Sequence, residues 1–111
     1  LYVSSAATSR EEIGNDIYPP AKRKLKEKGI PFSRHYARQA TMSDYLSYDY
    51  LICMDENNVR NLNRMFNKDP DHKIYKLLSR DVSDPWYSND FETAYNDIYE
   101  GCKAWLEKIY L

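Results

Sequence analysis

Tyr48 to Met54 is the most strand-like part of the chain, and within it Tyr50-Leu51-Ile52-Cys53-Met54 is continuously apolar. A run of that kind, with no polar residue at alternate positions, suits a strand covered on both faces, as in a parallel sheet. The flanking segments support this. Asp55 can cap a following helix whose buried stripe is Val59, Leu62 and Met65 or Phe66, and Asp69-Pro70 ends it. Lys73 to Leu78 reads as a second, shorter strand, and Ser79 to Asn89 as a loop rich in Ser, Asp and Pro. From Asp90 to Tyr110 the residues Phe91, Ala94, Tyr95, Ile98, Cys102, Trp105, Leu106 and Ile109 recur at helical spacing, which predicts one apolar face on the sheet. Toward the start, Leu1 to Ser5 reads as a short strand. Pro19-Pro20 opens a largely solvated helix that Gly29 stops. Ile30-Pro31-Phe32 is extended, and Thr41 to Leu46 is a short capped helix. Strands alternating with helices specify an α/β domain with a parallel sheet, whose ligands gather at the carboxyl ends of the strands. The loops after Ser5, Met54 and Leu78 are therefore expected to converge.

Size and charge narrow the function classes. The 111 residues fit one small domain, and a net charge of -1 from 16 basic and 17 acidic side chains gives no global pull on nucleic acid or anionic membrane. The basic run Lys22-Arg23-Lys24 has no interleaved aromatics and reads as a solvated helix face. No apolar run approaches the roughly 20 residues of a membrane span. Cys53 and Cys102, each in an apolar stretch, do not form a disulfide framework, which points to a reducing, cytoplasmic compartment.

Few residues can carry chemistry. Gly14, Gly29 and Gly101 are too scattered for a dinucleotide or Walker loop, and His35 and His72 lack ligand spacing, so neither a cofactor nor a metal is expected. Cys53 is followed by Asp55 and Glu56, which would raise its thiol pKa and repel phosphate. Arg60 lies seven positions on, one too many for a Cys-x5-Arg loop. Cys53 and Cys102 are read as structural. Asp84-Pro85-Trp86-Tyr87 differs: Pro85 holds Asp84 extended, so a carboxyl stands at a defined angle from a loop and two large aromatics follow. That segment reads either as an acid with a ring platform or as an ordinary turn whose aromatics pack on the domain.

Taken together, Val3-Ser4-Ser5-Ala6-Ala7-Thr8-Ser9, Ile13-Gly14, Lys28-Gly29-Ile30-Pro31, His35-Tyr36-Ala37-Arg38-Gln39, Tyr48 through Leu62, Asp84-Pro85-Trp86-Tyr87 and Asp90 through Tyr95 resemble, in order, the low-molecular-weight protein tyrosine phosphatases. The resemblance implies a three-layer α/β fold, a parallel sheet flanked by helices. It further implies metal-free hydrolysis of phosphotyrosine, in a protein or a small aryl phosphate, through a cysteinyl-phosphate intermediate. Asp84 would be the general acid, Trp86 and Tyr87 a wall for the substrate ring, and Glu11 and Glu12 contacts to residues around the phosphotyrosine. Ser5 and His35 match positions that brace the phosphate loop through hydrogen bonds, and Asp55 matches the carboxylate after the core strand.

One departure shapes the expectations. The family's first strand, Cys-x5-Arg phosphate loop and first helix have no counterpart in these residues. The chain is thus expected to be a single phosphatase-like domain over 1–111, incomplete at its N-terminus and inactive by itself. An uncovered strand edge would favour a homodimer or swapped assembly. An arsenate reductase of the same fold would need downstream redox cysteines and would dispense with Asp84. A relative that dephosphorylates arginine would not need the ring wall. A non-catalytic interaction module, with Tyr87 as a kinase substrate, is the alternative of a different class.

Overall fold

The computed structural model describes residues 1–110. Its centre is a parallel pair of strands, β1 (Leu51–Cys53) and β2 (Ile74–Lys76), in the register Leu51 to Ile74, Ile52 to Tyr75 and Cys53 to Lys76. Five helices surround the pair: α1 (Pro19–Glu27), α2 (Met42–Ser47), α3 (Glu56–Met65), α4 (Pro85–Ser88) and α5 (Phe91–Tyr110). Side chains alternate across a strand, and β1 uses both faces. Cys53 joins Tyr45, Leu62 and Phe66 in one core cluster, with Leu51, Val59 and Ile74 packed against it, so α3 covers that face. Ile52 packs instead against Leu77, Val82 and Trp105, so α5 covers the other. Two helical layers around a parallel sheet make this the expected α/β fold.

Local chemistry sets the helix ends. Thr41 and Asp44 form a reciprocal capping box at the start of α2. Arg38 then grips the same Asp44 with both arms of its guanidinium, at 2.8 and 3.1 Å, and holds that carboxyl below the usual range. Beyond α3 the chain turns through Asn67, Lys68 and Asp69, all at positive φ, an arrangement an L-residue adopts only when neighbours fix it. The fixing group is the Asp69 carboxylate, which accepts from the Tyr45 hydroxyl at 2.6 Å and from the amides of Lys73 and Ile74 at 2.8 and 3.0 Å. Burial alone would raise the Asp69 pKa, but these three donors together outweigh it and hold it low.

Two expectations are corrected. Leu1 to Ser5 is not a strand: Leu1, Tyr2 and Val3 are 73, 80 and 77% exposed, and only Ala7 bridges another segment, exchanging hydrogen bonds with Arg38 and Ala40. A strand exists through its ladder, and among the described residues nothing pairs with 1–5. The apolar stripe of α5 is also rotated from the one its sequence suggests. The inward residues are Ala94, Asp97, Gly101 and Trp105, while Ile98, Cys102 and Leu106 are exposed. Packing decides this, because Gly101 lets α5 sit directly on Leu77. A Cβ there would lie 2.3 Å from Leu77 Cγ.

Two stability tests follow from these contacts. Gly101→Ala gains about 1 kcal/mol of helix propensity but overpacks a filled site, typically a loss of about 1–3 kcal/mol. A lower urea midpoint is expected, and a higher one would contradict the packing. Asp44 and Asp69 have folded pKa values below their ordinary value of 3.8. Their contribution is therefore complete above that pH and lost as pH falls through the folded values. Urea midpoints measured from pH 5 to pH 2 should drop steeply in the wild type and less steeply in Asp69→Asn.

Candidate active site

At the carboxyl end of β1 the chain must turn, and its free amides need partners. Asp55 caps α3 by accepting from the Asn58 amide at 2.8 Å, while the Asn58 side-chain oxygen accepts from the Met54 amide at 3.2 Å. Asn58 thereby ties strand end to helix start, a role that its spacing after Asp55 could have suggested. Two clefts, each of about 510 Å³, meet at Met54 and Asn58. The first lies between residues 4–9 and residues 50–54. The second lies between α1 and α5 and is bordered by Asp55, Ser83, Asp84 and Pro85. The loops after Ser5, Met54 and Leu78 thus converge, as expected for the strand ends of an α/β domain.

Asp84 owes its geometry to its neighbours. Pro85 has no N–H and fixes its own φ, so Asp84 stays extended and its Oδ1 accepts from the next available amide, Trp86, at 2.9 Å. The turn closes one residue after α4, with Asn89 in the left-handed region at φ 58°. Asp84 Oδ2 has no hydrogen bond among the described residues, and the residue is exposed. Trp86 leans on Tyr18, with ring centroids 5.1 Å apart, and Tyr18 stacks in turn on Phe91. Tyr87 is 86% exposed.

Beside the first cleft, which Ser5 lines, Ser5 Oγ and His35 Nε2 share a hydrogen bond of 2.7 Å. His35 is itself placed by Asp16, a residue the sequence did not single out. The Asp16 carboxylate accepts from the His35 amide at 2.9 Å, from Lys22 Nζ at 2.6 Å and from the Ile17 amide at 2.7 Å. These bonds, the His35 amide foremost, hold its pKa far below the carboxylate range. No sequence spacing links positions 16 and 35, so only the fold could reveal the pair.

Glu11 and Glu12 stand apart, on an exposed turn outside both clefts, where Glu12 accepts from Asn15 at 2.5 Å. Cys53 is buried, and its pKa is pushed up to about 11 by burial first and then by the Asp55 and Glu56 carboxylates. Cys102 is exposed, against the expectation of a core residue, and burial of part of its side chain still raises its pKa. Among the described residues no helix is long and apolar enough to cross a membrane.

The family described as low molecular weight phosphotyrosine protein phosphatase matches residues 1–110. The human low molecular weight phosphotyrosine protein phosphatase is 46% identical over 116 residues, covering 96% of this chain and 73% of the human protein. Among solved structures, the low molecular weight protein tyrosine phosphatase of Streptococcus pyogenes superposes with a TM-score of 0.89 at 39% identity, over 93% of this chain and 69% of that one. YfkJ of Bacillus subtilis superposes with a TM-score of 0.91 at 32% identity, over 96% and 72%.

Thiol chemistry checks the electrostatics of the site. Brief alkylation at pH 8 followed by peptide mass analysis should label Cys102 well before Cys53. Equal labelling of the two would contradict the burial and charge assigned to Cys53.

Proposed function

The chain belongs to the low molecular weight phosphotyrosine protein phosphatase family, and from that premise we propose that it supplies the general acid and substrate-facing half of a phosphotyrosine phosphatase site. The observation that carries this reading is Asp84: one carboxyl oxygen is fixed on the Trp86 amide and the other is free, at the edge of the cleft shared with Met54, Asp55 and Asn58. A tyrosine leaving group has a pKa near 10, and its expulsion as a phenolate at neutral pH is slow unless a positioned acid protonates it. Asp84 donates that proton through its free oxygen as the P–O bond breaks and the cysteine S–P bond forms. In the second step it takes a proton from the water that attacks phosphorus and releases the thiolate.

The nucleophile lies outside these residues. The sequence contains no Cys-x5-Arg, and the thiol nearest the site, Cys53, is buried and held protonated to about pH 11. The shape of the clefts supports completion by the family's strand, phosphate loop and helix. The first cleft lies between residues 4–9 and the β1 segment at residues 50–54, and the second is an opening between α1 and α5. They meet where a loop joining strand to helix would face Asp84. Ser5 and His35 would brace that loop. Trp86, steadied by Tyr18, and the outward Tyr87 would flank a substrate ring, a contact worth about 0.5–1.5 kcal/mol beyond area burial. Glu11 and Glu12 would meet only residues distant from the phosphate. Without a segment filling the first cleft, the backbone edge of β1 favours association between copies.

Turnover of aryl phosphates tests this reading. The 111 residues alone should show none, and the same residues joined behind a relative's strand, Cys-x5-Arg loop and helix should show vanadate-sensitive activity. In that complete enzyme Asp84→Ala should lower kcat by roughly 10²–10⁴-fold. Turnover by the 111 residues that survives Asp84→Ala would overturn the proposal.

A further inference from the structure

The acid loop has a root hydrogen-bonded to other elements and an arm that meets them only through the Trp86 ring on Tyr18, and the boundary falls at one residue. Four consecutive root residues are tied to three different elements. Arg80 Nη2 donates to Asp97 Oδ1 at 2.9 Å and to Glu100 at 3.2 Å on α5. Asp81 accepts from the Glu56 amide at the start of α3 and from Lys76 at the end of β2. The buried Val82 donates its amide to the Met54 carbonyl at 2.8 Å, and the Ser83 amide donates to Asp97 Oδ2 at 3.2 Å. From Asp84 to Asn89 the hydrogen bonds stay within the turn and its next residue, Asp90, whose amide donates to Ser88 Oγ at 3.1 Å. Asp97 is thus the last anchor before Asp84, and it alone holds two residues of the root.

We infer that Asp97 is a positioning residue for the general acid: its carboxylate fixes the Ser83 amide and so sets the direction in which Asp84 leaves the root. The inference rests on the reading of Asp84 as the acid. Asp97 is the only buried charged residue among those described, 8% exposed, on a face of α5 otherwise lined by Ala94, Gly101 and Trp105. An ionised carboxylate in that setting is costly unless each oxygen is satisfied, and here one oxygen takes Arg80 and the other Ser83. An aliphatic side chain would fill the same face without needing those partners. The charge therefore serves the loop rather than the packing of the helix.

Asp97→Asn preserves size and removes the charge, and it is tested beside Asp84→Asn. In the 111-residue protein, hydrogen exchange at the Ser83 amide should quicken at least tenfold in Asp97→Asn, and the fluorine resonance of 5-fluorotryptophan-labelled Trp86 should shift while that of Trp105 stays. In the complete enzyme, Asp97→Asn should slow phenyl phosphate about tenfold with KM unchanged, and 4-nitrophenyl phosphate, whose leaving group is the weaker base, by less than threefold. Asp84→Asn should give a larger split of the same kind. If Asp84→Asn gives the split and Asp97→Asn does not, the positioning role is overturned and the acid reading stands. If Asp84→Asn gives no split, the acid reading fails and the inference with it. Unchanged Ser83 exchange in Asp97→Asn overturns the inference whatever the assay gives. Should Asp97→Asn fail to fold, Arg80→Gln removes only the exposed partner and should give the same split at smaller size. An equal loss on both substrates would overturn the inference.

Discussion

The parallel pairing of β1 with β2 is the interaction on which the rest of the molecule depends. It fixes the register that sends Leu51 and Cys53 to one face and Ile52 to the other. Because both faces must be covered, α3 and α5 are committed to opposite sides. The carboxyl end of β1 is then the one place where backbone from three parts of the chain can meet. Met54 follows the strand there, its carbonyl accepts from Val82 and its amide donates to Asn58. Slipping β1 by one residue would invert its faces and separate these partners.

Around this pair the irregular backbone is organised largely by aspartates. Asp55 caps α3, Asp44 links α2 to Arg38, Asp69 fixes a left-handed turn, Asp16 places His35 and Asp97 holds Arg80 and the Ser83 amide. A short carboxylate suits this task because it accepts several donors and reaches backbone amides that helices and strands leave unpaired. Where such bonds dominate, the carboxyl is driven below its ordinary pKa, as at Asp16, Asp44 and Asp69. Loops braced in this way can hold Ser5 with His35, and Asp84 with the end of β1, without a large core beneath them. Asp84 differs from the others. One of its oxygens accepts within its own turn and the other has no hydrogen bond among the described residues.

Much of this was legible in the chain itself. The strand within the Tyr50 to Met54 run, the Asp55 cap, the Val59 and Leu62 stripe with Phe66 as its buried end, and the extended Asp84 before Pro85 follow from periodicity and local backbone chemistry, although the strand is confined to Leu51–Cys53 and leaves Tyr50 and Met54 exposed. Leu1 to Ser5 departs from its expected strand because strand character is a property of a pair, not of a segment. On α5 the apolar side chains outnumber the positions that packing can bury, so Ile98, Cys102 and Leu106 face outward while Gly101 and Asp97 turn in.

The sequence by itself thus determined the order of the longer elements from α1 onward, the central strand and the position of an aspartate at the head of a turn. These depend on neighbours a few residues apart, whose spacing the covalent chain fixes. Only the tertiary structure decided that Asp16 serves His35, that Asp97 serves Ser83 and that the loops after Ser5 and Leu78 meet at Met54. Those partners are 14 to 19 residues apart in the first two cases and more in the third. At such separations the chain leaves the meeting point open until the sheet and its two helical layers close around it.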